Sequence, residues 1–427
     1  MPRRAFLLII LAYGLVIAGL VTLRGELLAL SVPIVLYLLS GLWMAPQQIH
    51  LKIQRILGSE RAAPDAMVPV TLTVRNIGPS LEEVIIEDIL PPELQLREGS
   101  NRHMLSLPSG SSFTWKYSVS GRRGYYVFST VHVQANDSFG ILPRKRSFSV
   151  RGQLFVLPPV MRMRRVAIRP RRTNVYSGTI PARLGGPGVE FFGVREYESG
   201  DPPAWINWNI SARHPQSLYS NEFEQERVAD VGIVLDGRLR TNMLRGGHSL
   251  FEYSVQAAAS LADTFLAQGN RVGLLLYGRY LHWTFPGYGK IQRERLLQTL
   301  ARAELGESQV FADLAHIPTK LFPAHSQIVL VSPLVLGDYE ILLQLRAQAY
   351  QVMVISPDPV AYELGCLLKS RQANLAGRIL HMERNLLIQK LKHAGVQVLD
   401  WDVASPFDQV GLGELGRPPA WFRAIGR

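Results

Sequence analysis

The chain has 427 residues, enough for two or three domains of about 100 to 200 residues each, and its 47% hydrophobic and 19% charged content excludes a disordered chain, which would be apolar-poor and charge-rich. The net charge of +12 points to an anionic partner such as lipid headgroups, while a specific nucleic-acid role is not expected. A single cysteine, Cys366, excludes a disulfide framework and a thiolate zinc site and is compatible with a reducing compartment.

The apolar excess sits at the front. Ala5 to Leu23 and Leu27 to Ala45 carry no charge, and each run is close to the about 20 residues that cross about 30 Å of hydrocarbon, so a two-helix transmembrane hairpin is expected over 1–46. A cleaved signal peptide would show a shorter apolar region and a small-residue cleavage site, without a second span at once behind it. Arg24-Gly25-Glu26 is too short to hold a domain, which makes the helices antiparallel. Arg3, Arg4, Lys52 and Arg55 flank the pair, and basic flanks face the cytoplasm; the expectation is therefore a two-pass cell-membrane protein, integral in the lipid, with its soluble domains cytoplasmic. Pro33 is expected to kink the second helix and Trp43 to anchor it at the interface.

Over 47–157 short β-rich runs alternate with turn signals: Val70 to Asn76 before Gly78-Pro79, Val84 to Leu90 before Pro91-Pro92, Ser112 to Val119 before Gly121, and Tyr125 to Ala135 before Asn136-Asp137. Strands of this length and spacing predict an immunoglobulin-like β-sandwich, with no catalytic constellation in it. Arg144-Lys145-Arg146, Arg162, Arg164-Arg165, Arg169 and Arg171-Arg172, interrupted by Pro158-Pro159 and Pro170, read as a basic linker, either in contact with anionic lipid or as a solvated face.

From Val228 to the end at 427 the pattern becomes β/α. Val228 to Asp236, Arg271 to Gly278, Gln327 to Leu334, Tyr350 to Pro357 and Val396 to Val403 are near-continuous apolar runs, as strands covered on both faces require. Between the first two lies a helix with a Ser249/Glu252 capping box, a buried stripe of Phe251, Val255, Ala258, Ala262, Phe265 and Leu266, and Gly269 at its end. Lys290 to Ala303, Asp338 to Ala349 and His381 to Ala394 supply further helices, and the whole predicts a doubly wound α/β domain with a mainly parallel sheet.

Ligands in such sheets bind beyond the carboxyl ends of the strands, which directs attention to Asp236, Ser332 and Asp358. Asp236-Gly237-Arg238-Leu239-Arg240 resembles the start of the metal site of von Willebrand factor A-like domains, whose pattern is D-x-S-x-S. Arginines 238 and 240 stand at both serine positions, whereas a hard cation needs oxygen ligands, so Asp236 is a degenerate metal-site position and no metal is expected. One arginine is instead placed to neutralise Asp236. The histidines show no zinc pattern; Gly287-Tyr288-Gly289-Lys290 lacks the first glycine and the hydroxyl residue of a phosphate loop; and Cys366 has no local sign of activation. No catalytic residue and no cofactor is nominated.

The segment from Gly185 to Arg227 is dense in unusual residues. Gly200-Asp201-Pro202-Pro203 predicts a tight turn, with Asp201 bonding local backbone amides. Trp205 and Trp208, with Asn207 between them and Arg213 beyond, read either as a structural joint or as a partner-binding surface. Together with the basic stretch before it, this segment occupies 158–227 as linker and signature.

Tyr197, Gly200, Asp201, Ile206, Asn207, Trp208, Ser211, Ala212 and Arg213 match the pattern Y-x-x-G-D-x-x-R-x-I-N-W-x-x-S-A-R, and by them the chain resembles the domain-of-unknown-function-58 family; Ala204 stands where the family has its first arginine. The resemblance extends to the plan of hairpin, β-sandwich, signature and von Willebrand factor A-like domain. It implies a bacterial or archaeal membrane protein that partners a MoxR-type AAA+ ATPase, and it does not imply an enzyme. The resulting expectation is a non-enzymatic, membrane-anchored adaptor whose α/β domain binds that ATPase or its client, with no small-molecule substrate. Two other readings stand beside it: a metal-dependent adhesion module, and a hydrolase using Asp201 and Glu198 as acid and base.

Overall fold

The computed structural model describes residues 3–43, 49–136, 143–163, 166, 180–214, 216–245, 248–308, 314–318, 321–323, 326–367 and 370–415. The chain divides into two compact units, Met1–Leu157 and Pro158–Arg427.

The first unit opens with two helices, α1 (Arg3–Thr22) and α2 (Gly25–Trp43), which pack on each other across the short Arg24 turn, with Pro33 inside α2. The membrane expectation is corrected here: among the described residues no helix is long and apolar enough to cross a membrane. The two-pass membrane placement is therefore overturned; the side chain of Trp43 lies outside the described residues.

Among the described residues nine strands follow: β1 (Leu51–Leu57), β2 (Arg61–Ala62), β3 (Val68–Asn76), β4 (Leu81–Asp88), β5 (Gln95–Glu98), β6 (Arg102–Leu107), β7 (Ser112–Ser120), β8 (Gly124–Asn136) and β9 (Arg144–Val156). They form one sheet in the order β1-β3-β7-β5 and another in the order β2-β9-β8-β4-β6. The period of two is explicit in β3, where Val68, Val70, Leu72 and Val74 are buried while Pro69 and Arg75 face out. These residues join Val84 and Ile86 of β4, Trp115, Tyr117 and Val119 of β7, and Val131 and Val133 of β8 in one core. Arg144, Lys145 and Arg146, read from sequence as linker, instead begin β9 and pair with Ala135, Gln134 and Val133 of β8. Their charges mask the strand because the outer face of a sheet accepts them.

A polar tie crosses that apolar core. The guanidinium of Arg55 (β1) donates to both carboxylate oxygens of Asp88 (β4), with Nε to Oδ2 at 2.9 Å, and to the carbonyl of Val150 (β9). The Tyr117 hydroxyl (β7) donates to Asp88 at 2.5 Å. Strands of both sheets are thereby linked through one carboxylate, and every remaining lone pair or proton left unmet there would carry the full cost of desolvation.

The second unit contains a two-stranded antiparallel ribbon, β10 (Ile180–Glu196) and β11 (Tyr219–Arg227), with the short helix α3 (Trp208–Ser211) in the connection. The segment read as linker and signature is thus partly a β-ribbon; Arg164, Arg165, Arg169, Arg171 and Arg172 lie outside the described residues. Then come β12 (Asp230–Asp236), β13 (Leu244–Arg245), β14 (His248–Ser249), α4 (Leu250–Ala267), β15 (Arg271–Tyr277), β16 (Leu281–Gly287), α5 (Gly289–Ala301), β17 (Gln327–Val331), α6 (Asp338–Ala347), β18 (Gln351–Pro357), α7 (Pro359–Cys366), α8 (Arg371–His393), β19 (Gln397–Trp401) and α9 (Phe407–Glu414).

Six of these strands form one sheet, ordered β16-β15-β12-β17-β18-β19, parallel throughout except for the antiparallel edge strand β16. One face, with Val234, Leu275, Ile328, Leu330, Val352 and Val354, packs with Leu342 and Leu345 of α6 and Leu387, Ile388 and Leu391 of α8. From β12, β15, β17 and β18 the sheet also contacts α4, whose Val255, Ala258, Ala262 and Phe265 are buried. Ser249 caps α4 by accepting from the Phe251 amide at 3.1 Å, and Asn242 accepts from the same amide at 2.8 Å. Helix α8 begins ten residues before the expected His381, because Ser370 caps it by accepting from Ala373 N at 3.0 Å.

Candidate functional site

Asp236 ends β12 and is 1% exposed. The next residue, Gly237, sits where backbones converge: its amide donates to Tyr277 O at 2.6 Å and its carbonyl accepts from Gly306 N at 3.0 Å. The chain then folds Arg238 back onto Asp236, with Nε donating to Oδ1 at 2.8 Å, Nη2 to Oδ2 at 2.7 Å and the Arg238 amide to Oδ1 at 3.0 Å. The far side of the guanidinium meets Asp338, the first residue of α6, through Nη1 to Oδ1 at 3.1 Å and Nη2 to Oδ2 at 2.9 Å. Ser332, at the end of β17, donates its hydroxyl to Asp236 Oδ2 at 2.7 Å.

The loop from Ser332 to Asp338 is shaped to deliver that second carboxylate. Leu334 is in the left-handed region at φ 64°, its amide donates to Ser332 Oγ at 3.1 Å, and the Val335 amide donates to Asp338 Oδ2 at 3.0 Å. Arg238 and Asp338 are 2% and 1% exposed. Burial works against the charge of the guanidinium, yet its bonds to Asp236 and Asp338 raise the Arg238 pKa further, so it stays cationic. Burial raises the Asp338 carboxyl above its ordinary value, against the opposing pull of Arg238 and the Val335 amide. The volume a cation would need between the two carboxylates is filled by a guanidinium, so these residues do not fit a metal. Among the described residues no group of three or more His, Cys, Asp or Glu could hold one.

Asp358 and its neighbours repeat the arrangement two strands over, beyond β18. Arg384 of α8, 8% exposed, donates to Asp400 Oδ1 through Nη2 at 2.6 Å, to Ser356 Oγ at 2.9 Å and to Pro333 O at 2.8 Å. Asp358 caps α7 by accepting from Val360 N at 2.9 Å and Ala361 N at 3.2 Å, with Arg384 Nε 3.5 Å away. Both acidic strand ends are therefore answered by an arginine. Sequence reasoning named Asp236, Ser332, Asp358 and Arg238 but missed Asp338 and Arg384, which read only as helix residues; the signal available was an acidic first turn following Ser332-Pro333.

The signature residues separate into two sets. Gly200, at φ 118°, makes the turn. Asp201 accepts from Arg195 Nη2 at 2.6 Å and from the Glu198 amide at 3.2 Å, and Tyr197 donates its hydroxyl to Asp201 O at 3.3 Å. Asn207 caps α3 by accepting from Ile210 N at 3.1 Å and donates to Asn221 Oδ1 of β11 at 2.8 Å, Ile206 bridges to Ser220, and Ser211 Oγ accepts from Tyr219 N at 2.9 Å. This first set holds the loop on the ribbon. The second set faces solvent: Trp208 is 66% exposed, Ala212 lies one turn on along the same face, and Arg213 is exposed beside it. Trp208 is thus no buried joint. Glu198 and Asp201 both pair with Arg195, at 3.4 and 2.6 Å, so the two carboxylates share one cation.

A pocket of about 230 Å³ opens at the carboxyl ends of β12 and β15, with Gly237, Tyr277, Arg279, His282, Arg302 and Glu304 on its wall. Arg279 lies over the Tyr280 ring, 5.4 Å from its centroid. Its lining offers the cations Arg279 and Arg302, an aromatic rim and the Thr299 hydroxyl.

Residues 193–366, from the end of β10 to α7, match the family model described as protein of unknown function DUF58. This stretch of the chain belongs to that family. The chain is 29% identical over 215 residues to the uncharacterized protein YeaD of Bacillus subtilis, covering 49% of this chain and 52% of that one. It is 27% identical over 167 residues to an uncharacterized protein of Mycobacterium tuberculosis, covering 37% and 50%. The chain thus spans about half the length of the curated relatives it matches. Among solved structures, a chain of the complex between zinc 2-glycoprotein and prolactin inducible protein from human seminal plasma is similar over 26% of this DUF58 chain and 98% of its own, at 16% identity. Its TM-score of 0.21 carries no argument.

Proposed function

We propose that this DUF58 protein is a non-enzymatic adaptor whose second unit is a doubly wound, von Willebrand factor A-like module that binds a protein partner, a MoxR-type AAA+ ATPase or its client. The observation that carries the reading is Arg238 bonded between Asp236 and Asp338. With the metal-site carboxylate spent on an internal guanidinium, recognition falls to side chains on the surface and not to a cation. The strand order β16-β15-β12-β17-β18-β19 supports the module assignment, since it reproduces the doubly wound order 3-2-1-4-5-6 when the strands are counted from β12. The two packed sheets of the first unit support an immunoglobulin-like sandwich as its companion.

Trp208 and Arg213 supply the contact, being of the types enriched at binding hot spots and exposed on a loop whose shape the rest of the signature fixes. The partner class comes from the family resemblance. The test is capture by the full chain of a MoxR-type ATPase under ATP-trapping conditions, beside calorimetric titration with Mg²⁺ and Mn²⁺. Enrichment of the ATPase with no heat of metal binding is the expected result. Absence of the ATPase, or stoichiometric metal binding lost on Asp236→Asn, would overturn the proposal.

A further inference from the structure

Helix α8 is apolar on two opposite sides. Its inner side buries Gly377, Leu387, Ile388 and Leu391, and lies so close to α7 that a Cβ on Gly377 would come 2.5 Å from Leu364 Cδ1. Its outer side carries Leu375, Ile379, Met382 and Leu386, which are 58%, 53%, 67% and 58% exposed. At about 100° per residue these four fall in one stripe roughly opposite the buried one. A helix on the surface of a sheet ordinarily turns polar residues outward, and a contiguous exposed apolar row marks an interaction surface. α8 also lies beyond the residues matched by the family model, 193–366.

The spacing within the row selects its partner. Steps of four, three and four residues are those of the seam of a two-stranded coil, with Leu375 and Met382 at d and the β-branched Ile379 with Leu386 at a. The flanks then place Arg378 at g and Glu383 at e, both exposed. In a parallel, in-register pair, g of one helix meets e of the other five residues on, which sets Arg378 against Glu383 of the partner subunit, twice by symmetry. An antiparallel pair would instead bring the g flank, with Arg371, Arg378 and Lys392, against its own basic copy. We infer that the outer face of α8 is a self-association surface, on which a second copy of this chain docks its own α8 in parallel through Leu375, Ile379, Met382 and Leu386, with Arg378–Glu383 pairs on the rim. α8 is already folded on the sheet, so association does not have to order it; the short seam makes the dimer weak, in the micromolar range. The inference is independent of the adaptor reading.

Sedimentation velocity of the full chain over a concentration series tests it. The expected result is a monomer–dimer equilibrium that Ile379→Glu with Met382→Lys abolishes. Arg378→Glu and Glu383→Arg each weaken the dimer by about tenfold or more, and the two together restore it. Met382→Cys, placed at d, forms an intermolecular disulfide under oxidation, while Asn374→Cys, off the stripe, does not. A chain that stays monomeric, a dimer indifferent to the Ile379/Met382 change, or a charge reversal without rescue overturns the inference. So does a monomer captured by phosphatidylserine vesicles through the same two side chains, which would assign the face to a lipid surface.

Discussion

Arg238 reaches back over Gly237 to clasp Asp236 through two side-chain hydrogen bonds of 2.8 and 2.7 Å, and both side chains are almost wholly buried. A sequence position that a divalent cation would require to be an oxygen ligand here supplies the cation itself.

Removing that guanidinium leaves Asp236 and Asp338 facing each other in a dry site. Arg238→Ser should lower unfolding stability by about 3 to 5 kcal/mol, as breaking one side of a buried ion pair does. The same variant exposes an oxygen set of Asp236, Ser332, Asp338 and the new hydroxyl, suited to a hard cation. Mg²⁺ at a hundredfold excess over its Kd should then return about 2.7 kcal/mol. Denaturant titrations with and without Mg²⁺ decide it: the natural chain should not respond, and an equal response from both chains would show that the arginine does not stand in for a metal.

How much of this was legible in the sequence differs by residue. Long apolar runs such as Ile328 to Val331 and Val352 to Ile355 announce strands because burial on both faces leaves them no polar alternation. β16 and β9 were not legible, since an edge strand and a strand with a solvated face tolerate His282, Arg144 and Lys145. The signature residues stood out by type, but nothing in their spacing separates Asn207, which caps and bridges, from Trp208, which faces solvent. Asp338 lay a hundred positions beyond Arg238, and only the sheet brings them together. The apolar N-terminal runs were legible as helices, whereas among the described residues no helix is long and apolar enough to cross a membrane.

Tyr117 gives a pH signature to the sandwich. Burial, then the charge of Asp88 and the hydrogen bond to it, raise its phenol above the ordinary 10.0, against the smaller opposing effect of Arg55. Above pH 10.0 the folded chain therefore keeps a proton that the unfolded chain loses, so this group's stabilisation is complete below that pH and declines as pH rises beyond it. Tyr117→Phe should cost about 1 to 3 kcal/mol at neutral pH and flatten the alkaline decline. Denaturation midpoints measured on both sides of the tyrosine pKa provide the comparison; parallel curves for the two chains would remove the argument.

Trp208 and Asn207 should separate binding from folding. Trp208→Ala removes a side chain that is 66% exposed and should shift stability by less than about 0.5 kcal/mol, while reducing capture of the partner by about 2 kcal/mol or more in binding energy. Asn207→Ala loses the cap of α3 and the bridge to Asn221, and should cost about 1 kcal/mol in stability. Thermal unfolding and quantitative pull-down on the same preparations check both. A Trp208→Ala chain that unfolds early but binds normally would return this tryptophan to a structural role.

Gly232, in the middle of β12, shows how little room the central sheet leaves. A Cβ there would lie 2.2 Å from Cδ1 and 2.3 Å from Cε1 of Phe322, a ring that is itself 3% exposed and packed in the core beneath α6 and α8. The ring cannot swing into solvent, so either it or the strand must shift, and Gly232→Ala should cost about 1 to 3 kcal/mol. Shortening the ring should relieve the clash: Phe322→Leu destabilises on its own by opening space, but combined with Gly232→Ala the loss should fall short of the sum by about 1 kcal/mol. Chemical denaturation of the four chains closes the cycle. Additive losses would mean that the strand yields instead of the ring, and would predict weakened pairing of Gly232 with Gly273 and Ile328, its neighbours in β15 and β17, seen as faster amide exchange there.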